Sequence, residues 1–285
     1  MTSAVGPAAR MQIARGLIEL RDRAELTQIQ VAEVAGCSKA TVSRYEDWTD
    51  RRRVKWATVK ALAEACGGNA AEVAALVEMA KSQAAAGWWV GNPAVPEWLS
   101  PLVSFESLAG YELVTAPTLV PGLLQTRDYA RALLSGQGLT GDRLDQETEA
   151  RMQRQTVLDR GMRLWVILDE TALRRQVGSA SVMADQLGHL HEAGKRPTVD
   201  IQVLPFTAGP PCAPGQFLIL GREDERDPRS SMAVVYLELP QRGVYLDDPD
   251  DVAAYKIMFN RLRAQASGTA DTADLLTTVR QEYLR

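Results

Sequence analysis

Along the first eighty residues, apolar positions return every three or four places, the period of a helix with one buried face. Ile13, Leu17 and Leu20 predict an amphipathic helix from about Ala8 to Ala24. Thr27 is suited to cap a second helix, Gln28 to Ala35, and Gly36 ends it because glycine takes the left-handed conformation at little cost. Ser38 then caps a third helix, Lys39 to about Asp47. Beyond the basic run Arg51-Arg52-Arg53, a fourth helix carries Val59, Leu62, Ala63 and Cys66 on one side and stops at Gly67-Gly68. A fifth, from about Asn69 to Ala86, adds Val73, Leu76, Val77 and Ala80 to the same core.

The stretch from Gly87 to Pro96 breaks this pattern with two glycines, two prolines and the pair Trp88-Trp89, which marks a packed connector. The expected division is therefore an all-α domain over residues 1–86, a connector over 87–97, and a second domain over 98–285. In that second domain the period is mixed. Helices are expected around Leu99–Ala109, Leu123–Leu134, Asp142–Arg160, Ser179–Ala193, Pro249–Ala266 and Asp271–Leu284. Strands are expected at Arg163–Asp169, Thr198–Leu204, Gln216–Leu220, Met232–Leu239 and Gly243–Leu246. This is an α+β domain, with α/β as the alternative, of about five strands. The order strand, helix, strand from Arg163 to Leu204 suits a parallel crossover, and the short links among the later strands suit antiparallel pairing.

Charge changes the picture. The 285 residues carry a formal net charge of −4, but residues 1–60 hold eleven Lys/Arg against seven Asp/Glu, a net of +4, so the remainder sums to −8. The basic charge coincides with the helical domain, as a local footprint on nucleic acid requires. No apolar run approaches the roughly 20 residues needed to span a bilayer, and the first residues lack the order of a secretory signal. Cys37, Cys66 and Cys212 are too few and too scattered for a disulfide framework or a zinc site. A cytoplasmic protein without metal or cofactor is expected.

The segment from Gln28 to Glu46 has the order of a helix-turn-helix: small Ala32 at the helix crossing, Gly36 at the turn, and Val42 and Tyr45 facing inward. It resembles the Xre and phage-repressor family, departing from it at Tyr45, where Ile or Leu is more usual, and at Asp47-Trp48, where a short glycine turn is. The resemblance implies that the third helix enters the major groove and sets Ser38, Lys39, Ala40 and Arg44 against base edges. It assigns Gln28, Thr41, Ser43, Arg51, Arg52, Arg53 and Lys55 to backbone phosphates, and Arg21 with Glu46 to an internal ion pair. Double-stranded DNA and a second copy of the chain are the implied partners, because one recognition helix reads only a few base pairs.

Other signals point to no chemistry. Gly136-Gln137-Gly138-Leu139-Thr140-Gly141 has the spacing of a dinucleotide loop but follows a helical run, and a loop that ends a helix is the expected reading. Asp169-Glu170 is placed to cap a helix, and His189 and His191 point to different sides of one. No nucleophile motif is present, so no enzyme is expected.

The run Leu119-Val120-Pro121-Gly122-Leu123-Leu124-Gln125-Thr126-Arg127-Asp128-Tyr129, with Ala150-Arg151-Met152-Gln153-Arg154-Gln155, Leu168 to Arg175 and Val203 to Phe206, is similar to a family of actinobacterial Xre-type regulators. That likeness implies an antitoxin-like role beside a small companion protein. Arg127, Arg151, Arg154, Arg174 and Arg175 are the candidates for a partner or an anionic ligand, since arginine is enriched at interfaces, with solvated surface salt bridges as the alternative reading. The alternatives are a domain that senses a small molecule, and an enzyme fused to a DNA-targeting head.

Overall fold

The computed structural model describes residues 7–50, 52, 54–81, 88–89, 92–213, 215–223, 232–240 and 242–285. They divide into two units, one ending at Asn92 and the other starting at Pro93.

The described residues of the first unit form helices α1 (Pro7–Arg23), α2 (Gln28–Val34), α3 (Lys39–Glu46), α4 (Trp56–Ala65) and α5 (Ala70–Lys81). Local hydrogen bonds set most of the boundaries. Thr27 and Gln30 form a reciprocal capping box: Gln30 N donates to Thr27 Oγ1 over 3.3 Å, and Thr27 N donates to Gln30 Oε1 over 2.9 Å. At the other end Gly36 takes φ +65°, and the Cys37 and Gly36 amides donate back to Ala32 O and Glu33 O at 2.9 and 3.3 Å. No atom lies near the place a Gly36 Cβ would occupy, so glycine is required there by backbone conformation alone. The helices bury one core: Ile13, Leu17 and Leu20 of α1 meet Val31 and Ala32 of α2, Val42 and Tyr45 of α3, Val59 and Leu62 of α4, and Val73 and Leu76 of α5. Gly16 lets α1 and α5 approach, since a Cβ there would sit 2.6 Å from Leu76 Cδ2.

The second unit contains α6 (Ser100–Leu108), α7 (Arg127–Gly136), α8 (Gly141–Arg154), α9 (Glu170–Arg174), α10 (Ala180–Ala193), α11 (Pro249–Gln265) and α12 (Thr269–Tyr283). Among the described residues six strands form its sheet: β1 (Tyr111–Ala116), β2 (Arg163–Asp169), β3 (Val199–Leu204), β4 (Phe217–Arg222), β5 (Met232–Leu239) and β6 (Arg242–Leu246), in the order β3-β2-β1-β4-β5-β6. β1, β2 and β3 are mutually parallel, and β4, β5 and β6 pair antiparallel, with β1 joining the two halves. Helix α11 packs Val252, Phe259 and Leu262 against Ile219 and Val235 on one face. On the other face Phe105 of α6 meets Tyr245 of β6, with ring centres 5.5 Å apart.

The sheet thus has six strands where the apolar pattern predicts about five. The additional one, β1, lies at its centre. Its sequence Tyr-Glu-Leu-Val-Thr-Ala interrupts the apolar run with Glu112 and Thr115, yet both are buried. Thr115 Oγ1 accepts from Phe217 N at 2.9 Å, which lets a hydroxyl sit inside the sheet. Two predicted helices also divide. The run 123–134 becomes a 3₁₀ turn at Gly122–Leu124 followed by α7, and the run 142–160 becomes α8 followed by a 3₁₀ segment, Gln155–Arg160. Three glutamines stabilise the first break. Gln125 Nε2 donates to Val120 O (2.7 Å), Gln155 Nε2 to Gly122 O and Gln125 O (2.8 Å each), and Gln186 Nε2 to Leu124 O (2.7 Å). Carbonyls around the 3₁₀ turn are thus satisfied by side chains in place of helix amides.

Candidate nucleic-acid interface

Helix α3 has two chemically distinct sides. Val42 and Tyr45 are buried in the core, while Lys39, Ala40 and Ser43 are exposed and Arg44 is half-buried beside them. These four outward positions fall three and four residues apart, so they form one stripe. Lys39 makes no ion pair among the described residues. Arg44 lays its guanidinium over the Tyr45 ring, 4.8 Å from the centre. The N-terminus of α3 is held by Ser38, whose Oγ accepts from Thr41 N at 3.1 Å and lies 3.0 Å from Thr41 Oγ1. The Ser38 and Thr41 hydroxyls therefore contact each other in the free protein.

Behind this stripe Glu46 ties three helices together. Its Oε1 is 2.7 Å from Arg21 Nε of α1, and its Oε2 accepts from Gln28 Nε2 of α2 at 2.8 Å. The Arg21 guanidinium is raised above its ordinary pKa by the hydrogen bond to Glu46. Gln28 is thereby fixed at the first residue of α2, where free amides and the helix dipole favour an anionic oxygen.

The segment after α3 is shaped by its own side chains. Asp47 Oδ1 accepts from Thr49 N (2.9 Å) and Asp50 binds Arg52, while Lys55 N donates to the Tyr45 hydroxyl at 3.0 Å. The hydroxyl that distinguishes Tyr45 from Ile or Leu thus fixes the chain beyond the helix. Arg10 of α1, which the motif does not single out, donates to Asp50 O from a buried position. Burial lowers its pKa, and Asp50 and Tyr45 partly offset that. Lys55 is exposed, and Arg51 and Arg53 lie outside the described residues.

Residues 12–76 match a helix-turn-helix domain family, and residues 99–278, more than half of the 285-residue chain, match a domain of unknown function (DUF5753). The chain belongs to the DUF5753 family. No curated protein and no solved structure matches it. The N-terminal unit is accordingly a DNA-binding domain of the helix-turn-helix type, and the protein is a DNA-binding regulator. Among the described residues no helix is long and apolar enough to cross a membrane.

The DUF5753 domain does not gather its five singled-out arginines into one site. Arg127 pairs with Glu149 at 2.8 Å on the surface, Arg174 bridges Glu170 (2.6 Å) and Glu282 (2.8 Å), and Arg175 is exposed. Asp169 caps α9, its Oδ1 accepting from Thr171 N at 2.8 Å. The Gly136 to Gly141 run is the link between α7 and α8. Arg151 and Arg154 turn inward instead. Arg154 grips Glu106 through Nε (2.6 Å) and Nη2 (2.5 Å), with side chains 11% and 0% exposed, and Arg151 Nη1 donates to Gln125 Oε1 at 3.0 Å. Burial would lower the Arg154 pKa, but Glu106 outweighs it and holds the guanidinium charged. Arg151, half-buried, is lowered to about 10 by desolvation and by the neighbouring Arg154 charge.

Glu112 completes this inner cluster, and its Oε2 is buried without a hydrogen-bond partner among the described residues. Burial, and then the neighbouring Glu106 charge, push its carboxyl well above the usual carboxylate range. The folded state therefore keeps a proton that the unfolded chain releases near pH 4.3. Stability falls as pH rises through that value and continues to fall up to the folded-state pKa. Glu112→Gln, which mimics the protonated form, is expected to match the natural protein in melting temperature near pH 4 and to exceed it increasingly toward pH 8. Parallel melting curves across that range would show instead that Glu112 ionises freely.

Proposed function

We propose that the protein is a sequence-specific transcriptional regulator of the Xre kind, working in the cytoplasm as a dimer, by binding and without catalysis. Its DUF5753 domain, on this reading, engages a small companion protein in the manner of antitoxin-like regulators. One observation carries the DNA reading: the outward stripe Lys39, Ala40, Ser43 and Arg44 on a helix whose other side is locked into the core. Such a stripe presents two cations able to meet guanine O6 and N7 beside a small residue able to meet a thymine methyl. Selection of bound fragments from random duplex DNA, with and without cytoplasmic extract, tests it. A single recovered operator is the expected result, and recovery of no preferred sequence counts against the reading.

Dimerisation follows from the small reach of one recognition helix. Sedimentation of the full chain is expected to give two copies per operator with half-sites about one DNA turn apart. A monomer both free and on DNA would remove the idea. The companion-protein reading is supported by the net charge of −8 beyond residue 60, which suits a basic partner by speeding encounter. A second reading, a small-molecule sensor, has its own support in a cleft of about 380 Å³ lined by Leu123, Leu124, Met152, Gln155, His189 and Arg196. Pockets for small ligands begin at about that size. Operator binding assayed with the protein and low-molecular-weight fractions of an extract separates the two.

A further inference from the structure

The chain leaving α3 offers a cation whose direction is set by one carboxylate. Asp50 accepts four hydrogen bonds from three donors of Arg52: from its backbone N at 2.8 Å, from Nε at 3.0 and 3.1 Å, and from Nη2 at 2.5 Å. The backbone that carries the carboxylate is anchored, because the Asp50 main-chain carbonyl accepts from Arg10 of α1. On either side, Asp47 closes a turn onto Thr49, and Lys55 N is held by Tyr45 of α3. Arg52 is thus gripped along its Nε and Nη2 edge, with Nη1 uncommitted among the described residues. Its side chain is 69% exposed while that of Asp50 is only 15% exposed. The hydrogen bonds to Arg52 hold the Asp50 carboxyl down to about 2, so it is an anion at neutral pH.

An anion beside a DNA-binding surface poses a physical question. Coulomb's law alone makes Asp50 repel phosphates, so its presence would weaken binding. Orientation acts in the opposite sense. A free arginine loses rotamer freedom when it docks, whereas one already held by a planar two-point contact loses less and meets the phosphate with its remaining N–H groups.

We propose that Asp50 is a positioning residue for DNA binding, which aims Arg52 at a backbone phosphate beside the groove entered by α3. The proposal rests on the reading of α3 as the recognition helix. Because phosphate contacts carry no sequence information, the probe is a labelled duplex of mixed sequence, titrated with the full-length protein over a salt series. The proteins compared are the natural one, Asp50→Asn, Arg52→Ala, the double variant, and Lys39→Ala/Arg44→Ala.

Arg52→Ala is expected to weaken binding and to flatten the dependence of log affinity on log salt by about one. Asp50→Asn, which keeps an acceptor for the turn but removes the charge, is expected to weaken binding about two- to tenfold, the lower end of couplings within one hydrogen-bonded network, as suits an exposed pair. In the double variant the further loss on Asp50→Asn should vanish. If Asp50→Asn binds as tightly as the natural protein or more tightly, the carboxylate is only a repulsive charge and the proposal fails. It fails equally if the weakening persists at full size without Arg52, since the substitution then acts by loosening the loop. Should Arg52→Ala and Lys39→Ala/Arg44→Ala both leave binding and its salt dependence unchanged, the recognition-helix reading has failed and the proposal with it.

Discussion

Replacing Arg154 by alanine is expected to destabilise the DUF5753 domain by about 3–5 kcal/mol, the usual cost of leaving one member of a buried ion pair alone. Glu106 is completely buried, and Arg154 supplies two of its hydrogen bonds along with its counter-charge. With the guanidinium gone, the carboxylate must either stay charged in a low-dielectric site or take up a proton, as Glu112 already does nearby. Urea titration of the full chain, followed by circular dichroism, measures the loss. The contrasting variant is Glu106→Leu/Arg154→Met, which exchanges both charges for apolar groups. It should recover most of the stability, because the pair offsets its own desolvation rather than adding much beyond it. An Arg154→Ala protein whose midpoint is unchanged would mean that water reaches Glu106.

The second large effect is on sequence discrimination. Lys39→Ala and Arg44→Ala are each expected to reduce the preference for the selected operator over a mismatched duplex by about 1–3 kcal/mol, the worth of a good contact to one base pair. Lys39 is already exposed. Arg44 has to leave the face of Tyr45, a contact worth about 0.5–1 kcal/mol at an exposed site, which is less than a bidentate pair with guanine returns. Lys55→Ala, in contrast, should weaken operator and mismatched duplex alike. Competition binding at fixed salt reads both quantities. An Arg44→Ala protein that keeps affinity and preference would place α3 away from the bases.

Short-range chemistry made the N-terminal domain legible. Thr27, Gly36 and Ser38 act through hydrogen bonds to residues within a few positions, and their effect does not depend on what else the chain packs against. The apolar period likewise requires only that one side of each helix be buried, and Ile13, Leu17, Val31, Val42 and Val59 are. In the second domain the strands and helices with clean apolar patterns, such as β2 and α10, stood out for the same reason.

Tertiary structure decided the rest wherever a polar residue is buried. Glu112 and Thr115 break the apolar pattern of β1 and are buried only because Phe217, Glu106 and Arg154 surround them, which is why the pattern does not mark this central strand. Arg151 and Arg154 read as candidates for an interface, yet partners at positions 125 and 106 draw them inward. Gln125, Gln155 and Gln186 carry the hydrogen bonds of the segment around Gly122–Leu124, bonds to distant or non-helical carbonyls that no local pattern announces. Hydrophobicity marks burial only for residues that gain by leaving water. A charged or amide side chain is buried when distant partners replace its water, and those partners are brought to it by the fold.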